Sequence, residues 1–477
     1  MPLKPWREII TPHEDVLEGD YEEASFAADL TKVVLGVAPP DYQDPVRFFE
    51  RTVITEGMSL LLQSVVKRLS GKGGDPVVQL QTSFGGGKTH TMMAVLHVAS
   101  GKVPAKKMLG VPELLDKAKV KQLVTAKVAV LDGNALGPSQ PRQHGSVKTH
   151  TLWGELAWQL GKEDGYELVA ASDQQGTSPG KDALATLFER HGPAVVLIDE
   201  TVAYLRQLEP GKSYPGGTYN SNLSFFQALT EAAARVPNAM VLASLPKSKM
   251  EVGDHFGEQV LDAIEKLFGR IESVWKPIGP EESYEIVRRR LFGPVHDEAA
   301  RDEVCRAFAD LYAQEADKLP AEARDAGYVR QLKASYPIHP EVFHRLYEDW
   351  SSLPKFQRTR GVLRLMARLV HSLWRGDNRD FLILPGSIPL DDLEVRNELV
   401  KYLPTGWDPI VDKDIDGAHA EPRRIDDDTP TLGSMQACSA DDLSRKRPFG
   451  RRTERAGHRH RARTLRLRAT GPVGHEV

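Results

Sequence analysis

The sequence predicts an α/β fold, a three-layer structure in which a parallel sheet is covered by helices on both faces, followed by an all-helical domain. Three observations predict it. Short, near-continuous apolar runs alternate with helical stretches between residues 76 and 277, the pattern of strands buried on both faces. One of these runs enters a glycine-rich turn that opens directly into a helical stretch. Residues 281–375 then show helical periodicity without a run of strand character. A chain of 477 residues is long enough for about three domains and a large core.

Residues 1–70 are expected to form an N-terminal helical segment. Its helices fall at about Tyr21–Val37 and at Glu56–Leu69, where Met58, Leu61, Leu62, Val65, Val66 and Leu69 share one face before Gly71 and the Gly73-Gly74 pair. Residues 71–280 form the sheet-bearing core. Its expected strands are Pro76–Gln81, Lys127–Asp132, Ala194–Asp199, Ala239–Ser244 and Arg270–Pro277. Helices lie between them at about Lys88–Ser100, His150–Gly161, Lys181–Arg190, Leu223–Arg235 and Gln259–Phe268. The helical domain, 281–375, carries helices at Glu281–Leu291, Glu298–Lys318, Pro340–Trp350 and Gly361–Trp374. Pro340 is suited to a first helical turn, with Val342, Phe343 and Leu346 facing inward. Residues 376–442, rich in Pro, Asp and Gly, read as the start of an incomplete second region.

The net charge of −4 divides into about −13 for residues 1–442 and +9 for residues 443–477, where eleven Lys/Arg meet two Asp/Glu. That C-terminal tail has ten arginines and a single aromatic residue, Phe449, so it cannot build a core and is expected to be disordered. Cys305 and Cys438 lack the spacing of a disulfide framework or a zinc site. The N-terminus has charges in its first twenty residues, and eighteen apolar residues nowhere run together. A cytoplasmic protein without a membrane span is expected.

The central motif runs from Val77 through Thr82-Ser-Phe-Gly85-Gly86-Gly87-Lys88-Thr89. A strand, a glycine-rich turn and a helix in that order are what a phosphate-binding loop requires. The backbone N–H groups of Gly85, Gly86 and Gly87 can point at phosphate oxygens. Lys88 brings positive charge to the β- and γ-phosphates, and the Thr89 hydroxyl can sit on Mg²⁺ at the positive end of the helix dipole. Thr82 stands where the general pattern has its first glycine.

A second strand, Ala194-Val-Val-Leu-Ile-Asp199-Glu200, ends in two carboxylates 111 and 112 residues after Lys88. It resembles a Walker B element. Asp199 is then the candidate for the Mg²⁺ shell and Glu200 for the base that orients and deprotonates the attacking water. Together the two motifs predict a P-loop NTPase that binds ATP.

Further features resemble the AAA+ group, the P-loop ATPases with an additional strand. Ser244 ends its strand where that group places a polar sensor. Asn134, just past Asp132, is similar to a residue that restrains the catalytic glutamate, and it also suits a plain turn. Arg270 stands where an arginine finger would reach a neighbouring subunit's nucleotide, which implies a homo-oligomer; a surface ion pair is the other reading. Arg360, before the helix of Val362, Leu365, Met366, Leu369 and Val370, resembles sensor 2 of a lid domain, preferred over Arg358 and Arg364; a solvated helix start is equally open.

Two patterns are set aside. Asp412-x-Asp414-x-Asp416-Gly417 copies half of an EF-hand loop, but Arg423 occupies the twelfth position. His339 and His344 are five residues apart, about 140° around a helix, and cannot share a metal.

The stretches Lys4-Pro-Trp-Arg, Phe26-Ala-Ala-Asp-Leu, Thr55-Glu-Gly, Gly73-Gly-Asp-Pro, Gln79 to His90 and Leu131-Asp-Gly-Asn resemble the bacterial domain-of-unknown-function family 499. The resemblance spans about residues 2–433 and implies the N-terminal half of an AAA+-type ATPase from phage-defence islands. It implies ATP and Mg²⁺ as cofactors, DNA and a DNA methyltransferase or helicase as partners, and no membrane association. The expected activity is Mg·ATP hydrolysis coupled to remodelling of a protein–DNA complex; the alternative is a low-turnover ATP-dependent switch or scaffold. Because the Arg-rich tail interrupts this resemblance, it reads as out-of-frame sequence rather than a nucleic-acid arm.

Overall fold

The computed structural model describes residues 3–19, 28–82, 87–246, 252, 254–268, 280–315, 323, 325–344, 346, 358–402, 406–417, 419–420 and 423–424. The chain divides into two units, Ala28–Ile278 and Met1–Ala27 together with Gly279–Val477; the sequence places its boundaries at 70 and 280.

The Ala28–Ile278 unit is built on four parallel strands, β1 (Val77–Thr82), β2 (Lys127–Asp132), β3 (Ala194–Asp199) and β4 (Ala239–Pro246), in the order β1-β4-β3-β2. The expected bounds of β2 and β3 are met, and β4 runs two residues past Ser244. The expected strand Arg270–Pro277 lies outside the described residues.

Successive side chains leave a strand on opposite faces, so each strand feeds two cores. Val78, Leu80, Val195, Leu197, Met240 and Leu242 pack with α1 (Glu56–Leu69), α2 (Lys88–Ser100) and α3 (Val111–Ala118). Val77, Val196, Ile198, Val241 and Ala243 pack with α4 (Leu152–Glu167), α5 (Gly180–His191), α6 (Tyr219–Arg235) and α7 (His255–Phe268). This is the α/β arrangement with a helical layer on each face.

Local chemistry explains the helix bounds. Thr55 caps α1 by accepting from Met58 N at 3.2 Å, and Thr151 caps α4 by accepting from Gly154 N at 3.1 Å. α2 is buried at every position from Thr91 to Ala99, as befits a helix enclosed rather than laid on a surface. α4 runs beyond the expected end at Gly161 because, after a break at Lys162 (φ 54°), a further helical turn continues to Glu167.

Two side chains close the unit. Arg68, buried on α1, donates from Nε to Ala239 O at 2.9 Å and from Nη2 to Ala233 O and Val236 O at 2.7 Å. A cation thus neutralises carbonyls at the C-terminal end of α6. On the outer side of β2, Gln159 pairs with both backbone groups of Val130, at 2.7 and 3.0 Å, satisfying an edge strand with a side-chain amide.

In the other unit, Trp6, Phe292, Phe308, Tyr312, Tyr336 and Met366 are core residues. The helices Pro280–Leu291, Glu298–Gln314, Pro340–His344 and Arg358–Arg375 fall within or close to expected ones, with Val342, Phe343 and Leu346 buried, and Ala326–Ser335 is a further helix that was not expected. The region is not all-helical, however. Phe292–Val295 forms a strand antiparallel to Ile10–Pro12, pairing Ile10 with Val295 and Pro12 with Phe292. Phe-Gly-Pro-Val has little strand propensity of its own; a partner remote in the chain makes it a strand.

The segment Asp412–Asp416 is a helical turn, in which Asp416 pairs with Arg423 at 2.9 Å and Asp412 with Arg396. The Arg-rich tail lies outside the described residues. Among the described residues, no helix is long and apolar enough to cross a membrane.

Candidate functional site

In a parallel sheet, strand ends that face one edge gather residues distant in the chain, and ligands bind at the carboxyl ends. Here Asp132 and Asp199 close β2 and β3, and Ser244 lies on the adjacent β4, two residues before its end. Asp132 stands opposite Asp199, and Ala243 opposite Ile198.

Asp199 is the centre of the cluster. Its side chain is buried, with 5% of the residue exposed. Thr89 Oγ1 donates to Asp199 Oδ2 at 2.8 Å, and the Ser244 hydroxyl donates to Asp199 Oδ1. Burial raises the Asp199 carboxyl above its ordinary value of 3.8, aided by the nearby Asp132; the Ser244 and Thr89 bonds and the Glu200 N–H act against it. The site therefore holds a carboxylate under strain of desolvation, which a cation would relieve.

Glu200 follows with a left-handed backbone, φ 52° and ψ 41°. For a residue with a Cβ this conformation costs about 1–2 kcal/mol, so its surroundings must impose it. Its N–H donates to Ser244 Oγ and Asp199 Oδ1, each at 3.1 Å. Glu200 also caps the helix Thr201–Leu205. Ser244 therefore bridges the two acidic residues, accepting from one and donating to the other.

Of the expected phosphate loop, Gly87 has φ 78° and caps α2, of which Lys88 is the first residue and Thr89 the second. The positive φ is a conformation that glycine adopts freely. Gly85 and Gly86 lie outside the described residues. The structure thus brings Thr89, Asp199, Glu200 and Ser244 together, with Lys88 adjoining Thr89 in sequence.

Of the remaining candidates, Asn134 adjoins the site through its backbone, and two lie wholly or by their side chain outside the described residues. Asn134 is exposed in the turn after β2, and its N–H donates to Asp132 Oδ1 at 2.9 Å. Arg270 lies outside the described residues, as does the side chain of Arg360. Arg364 is occupied by Glu398 and by Tyr402 Oη, both at 2.7 Å.

Three residues at the site were not singled out from the sequence: Thr31, Asp132 and Gly133. Thr31 Oγ1 donates to Asp132 Oδ2 at 2.7 Å, and Gly133 N donates to Asp199 O at 2.9 Å. The Leu131-Asp-Gly-Asn stretch was the available signal for two of them; Thr31 has none, because its contact depends on tertiary packing.

Residues 3–275 match the DUF499 N-terminal domain, and residues 279–422 match the DUF499 second domain. No curated protein matches the chain.

Proposed function

The chain belongs to the DUF499 family, and from that premise and the strand-end cluster we propose that it is an ATP-binding P-loop ATPase of AAA+ type. The observation that carries this reading is the Thr89–Asp199–Ser244–Glu200 constellation. Strand order supports it too: β4, which bears Ser244, lies between the loop-bearing β1 and the acidic end of β3, the arrangement expected of a P-loop ATPase with an additional strand.

The donor set suits a hard divalent cation. Thr89 offers a hydroxyl and Asp199 a carboxylate, 2.8 Å apart, and Mg²⁺ prefers a small number of such oxygens alongside substrate phosphates. Bound there, Mg²⁺ would neutralise charge building on the β- and γ-phosphate oxygens. The Gly87 backbone and the N-terminus of α2 would receive phosphate oxygens, and Lys88 would bring positive charge beside them. Glu200 would accept a proton from water as the water oxygen forms its bond to the γ-phosphorus and the bond to the ADP oxygen breaks. Ser244 would hold Glu200 and Asp199 in register through that step. Coupling of hydrolysis to remodelling of a protein–DNA complex belongs to the same proposal and rests on the family resemblance.

Measuring ATP affinity and turnover of wild type and Glu200→Gln tests the assignment. Turnover should fall by about 10²–10⁴-fold with binding retained; equal turnover in the two proteins contradicts it.

A further inference from the structure

We propose that the Asp132–Asn134 turn is a template for the backbone of Glu200, with Gly133 as its positioning residue and Thr31 as its anchor. The proposal rests on the reading of Glu200 as the base that activates water.

Gly133 meets the Glu200 peptide at a distance that leaves no room for a side chain. A Cβ placed on residue 133 would lie 2.1 Å from Glu200 O, 2.9 Å from Glu200 C and 3.0 Å from Tyr204 Cβ. The first two are backbone atoms, so a rotamer change cannot clear the contact. Gly133 is also tied to the preceding residue, its N–H donating to Asp199 O at 2.9 Å. The turn therefore touches the acidic pair through backbone alone and abuts the carbonyl of a residue in a left-handed conformation.

The turn is itself held together by Asp132. Its Oδ1 accepts from Asn134 N at 2.9 Å and Ala135 N at 3.4 Å, its Oδ2 accepts from Thr31 Oγ1 at 2.7 Å, and its carbonyl accepts from Leu136 N at 2.8 Å. Thr31 sits on the short helix Leu30–Leu35. A continuous path of contacts thus runs from Thr31 through Asp132 and Gly133 to Glu200. Ser244 and Asp199 hold the Glu200 N–H, while Gly133 limits where its carbonyl can go. Rotation of the peptides on either side of the Glu200 Cα would re-aim its carboxylate, and displacement of a catalytic group by about 1 Å costs on the order of 100-fold in rate.

The test compares wild type, Gly133→Ala, Thr31→Val, Thr31→Ser and Glu200→Gln as full chains, measuring Mg·ATP affinity and kcat. Gly133→Ala should lower kcat by about 100-fold and leave affinity within about twofold. Thr31→Val should lower kcat by about tenfold, and Thr31→Ser, which keeps the hydroxyl, should restore it. If Gly133→Ala does not fold by circular dichroism, the two Thr31 variants decide by the same criteria. The proposal is overturned by wild-type kcat in Gly133→Ala or Thr31→Val, by a serine variant no better than valine, or by affinity falling in parallel with kcat. Turnover retained in Glu200→Gln, or absent from wild type, removes the reading of Glu200 and this proposal with it. Turnover abolished in Glu200→Gln but normal in Gly133→Ala sinks the template alone.

Discussion

Thr89 Oγ1 donates to Asp199 Oδ2 at 2.8 Å across 110 residues of chain. The bond joins the start of α2 to the end of β3, and its two oxygens are those assigned to Mg²⁺. Thr89→Val removes one while nearly preserving shape. The variant should bind ATP without metal as wild type does, but the gain in affinity on adding Mg²⁺, expected to be at least about tenfold in wild type, should largely vanish. Titrations with and without Mg²⁺ check this; an undiminished Mg²⁺ effect would remove Thr89 from the metal site.

Asp199 should trade stability for function. Its native carboxyl is raised above 3.8 by burial, so the native state retains a proton that the unfolded chain has released. Stability then falls as pH rises through the window above 3.8. Asp199→Asn removes that charge and should stabilise the nucleotide-free chain by about 1–2 kcal/mol near pH 7. The gain should shrink towards about pH 4, and Mg·ATP should no longer stabilise the variant. Thermal unfolding at the two pH values reads both effects; a variant less stable than wild type near pH 7 contradicts them.

His97 sets an acid limit. It is buried on α2, bonded through Nε2 to Tyr42 O at 2.9 Å, and burial pushes its value down from 6.5 to about 4. As pH falls through 6.5 the unfolded chain gains a proton that the native chain refuses until about 4, so stability is lost across that window. The loss amounts to about 3 kcal/mol. His97→Gln can keep the donor to Tyr42 and should lose about that much less over the same range. Urea unfolding at a series of pH values checks it; parallel profiles would exclude His97 as the cause.

The strands were legible where burial on both faces made the apolar run continuous, as in Ala194–Asp199, where every residue is buried. The helix Glu56–Leu69 was legible because its apolar stripe, cap and terminating glycines agree. Strand order was not, since pairing of β4 with β1 and β3 depends on contacts absent from any local window. For the same reason the sequence identified Asp199, Glu200 and Ser244 as types at strand ends, but not the hydroxyl of Ser244 bridging the other two. The left-handed backbone of Glu200 and its approach to Gly133 are equally tertiary: glutamate carries no local preference for that conformation. Phe292–Val295 shows the converse, a strand without a strand-like sequence.

The most direct test of the nucleotide site is calorimetric titration of Mg·ATP into the full chain and into Lys88→Ala, with folding of both checked by circular dichroism. Wild type should bind saturably, and removing the lysine should lower affinity by at least about 100-fold, a charge-assisted contact to phosphate being worth about 1.5–3 kcal/mol or more when desolvated. Equal affinity in the two folded proteins, or no binding by wild type, would contradict the nucleotide-site assignment.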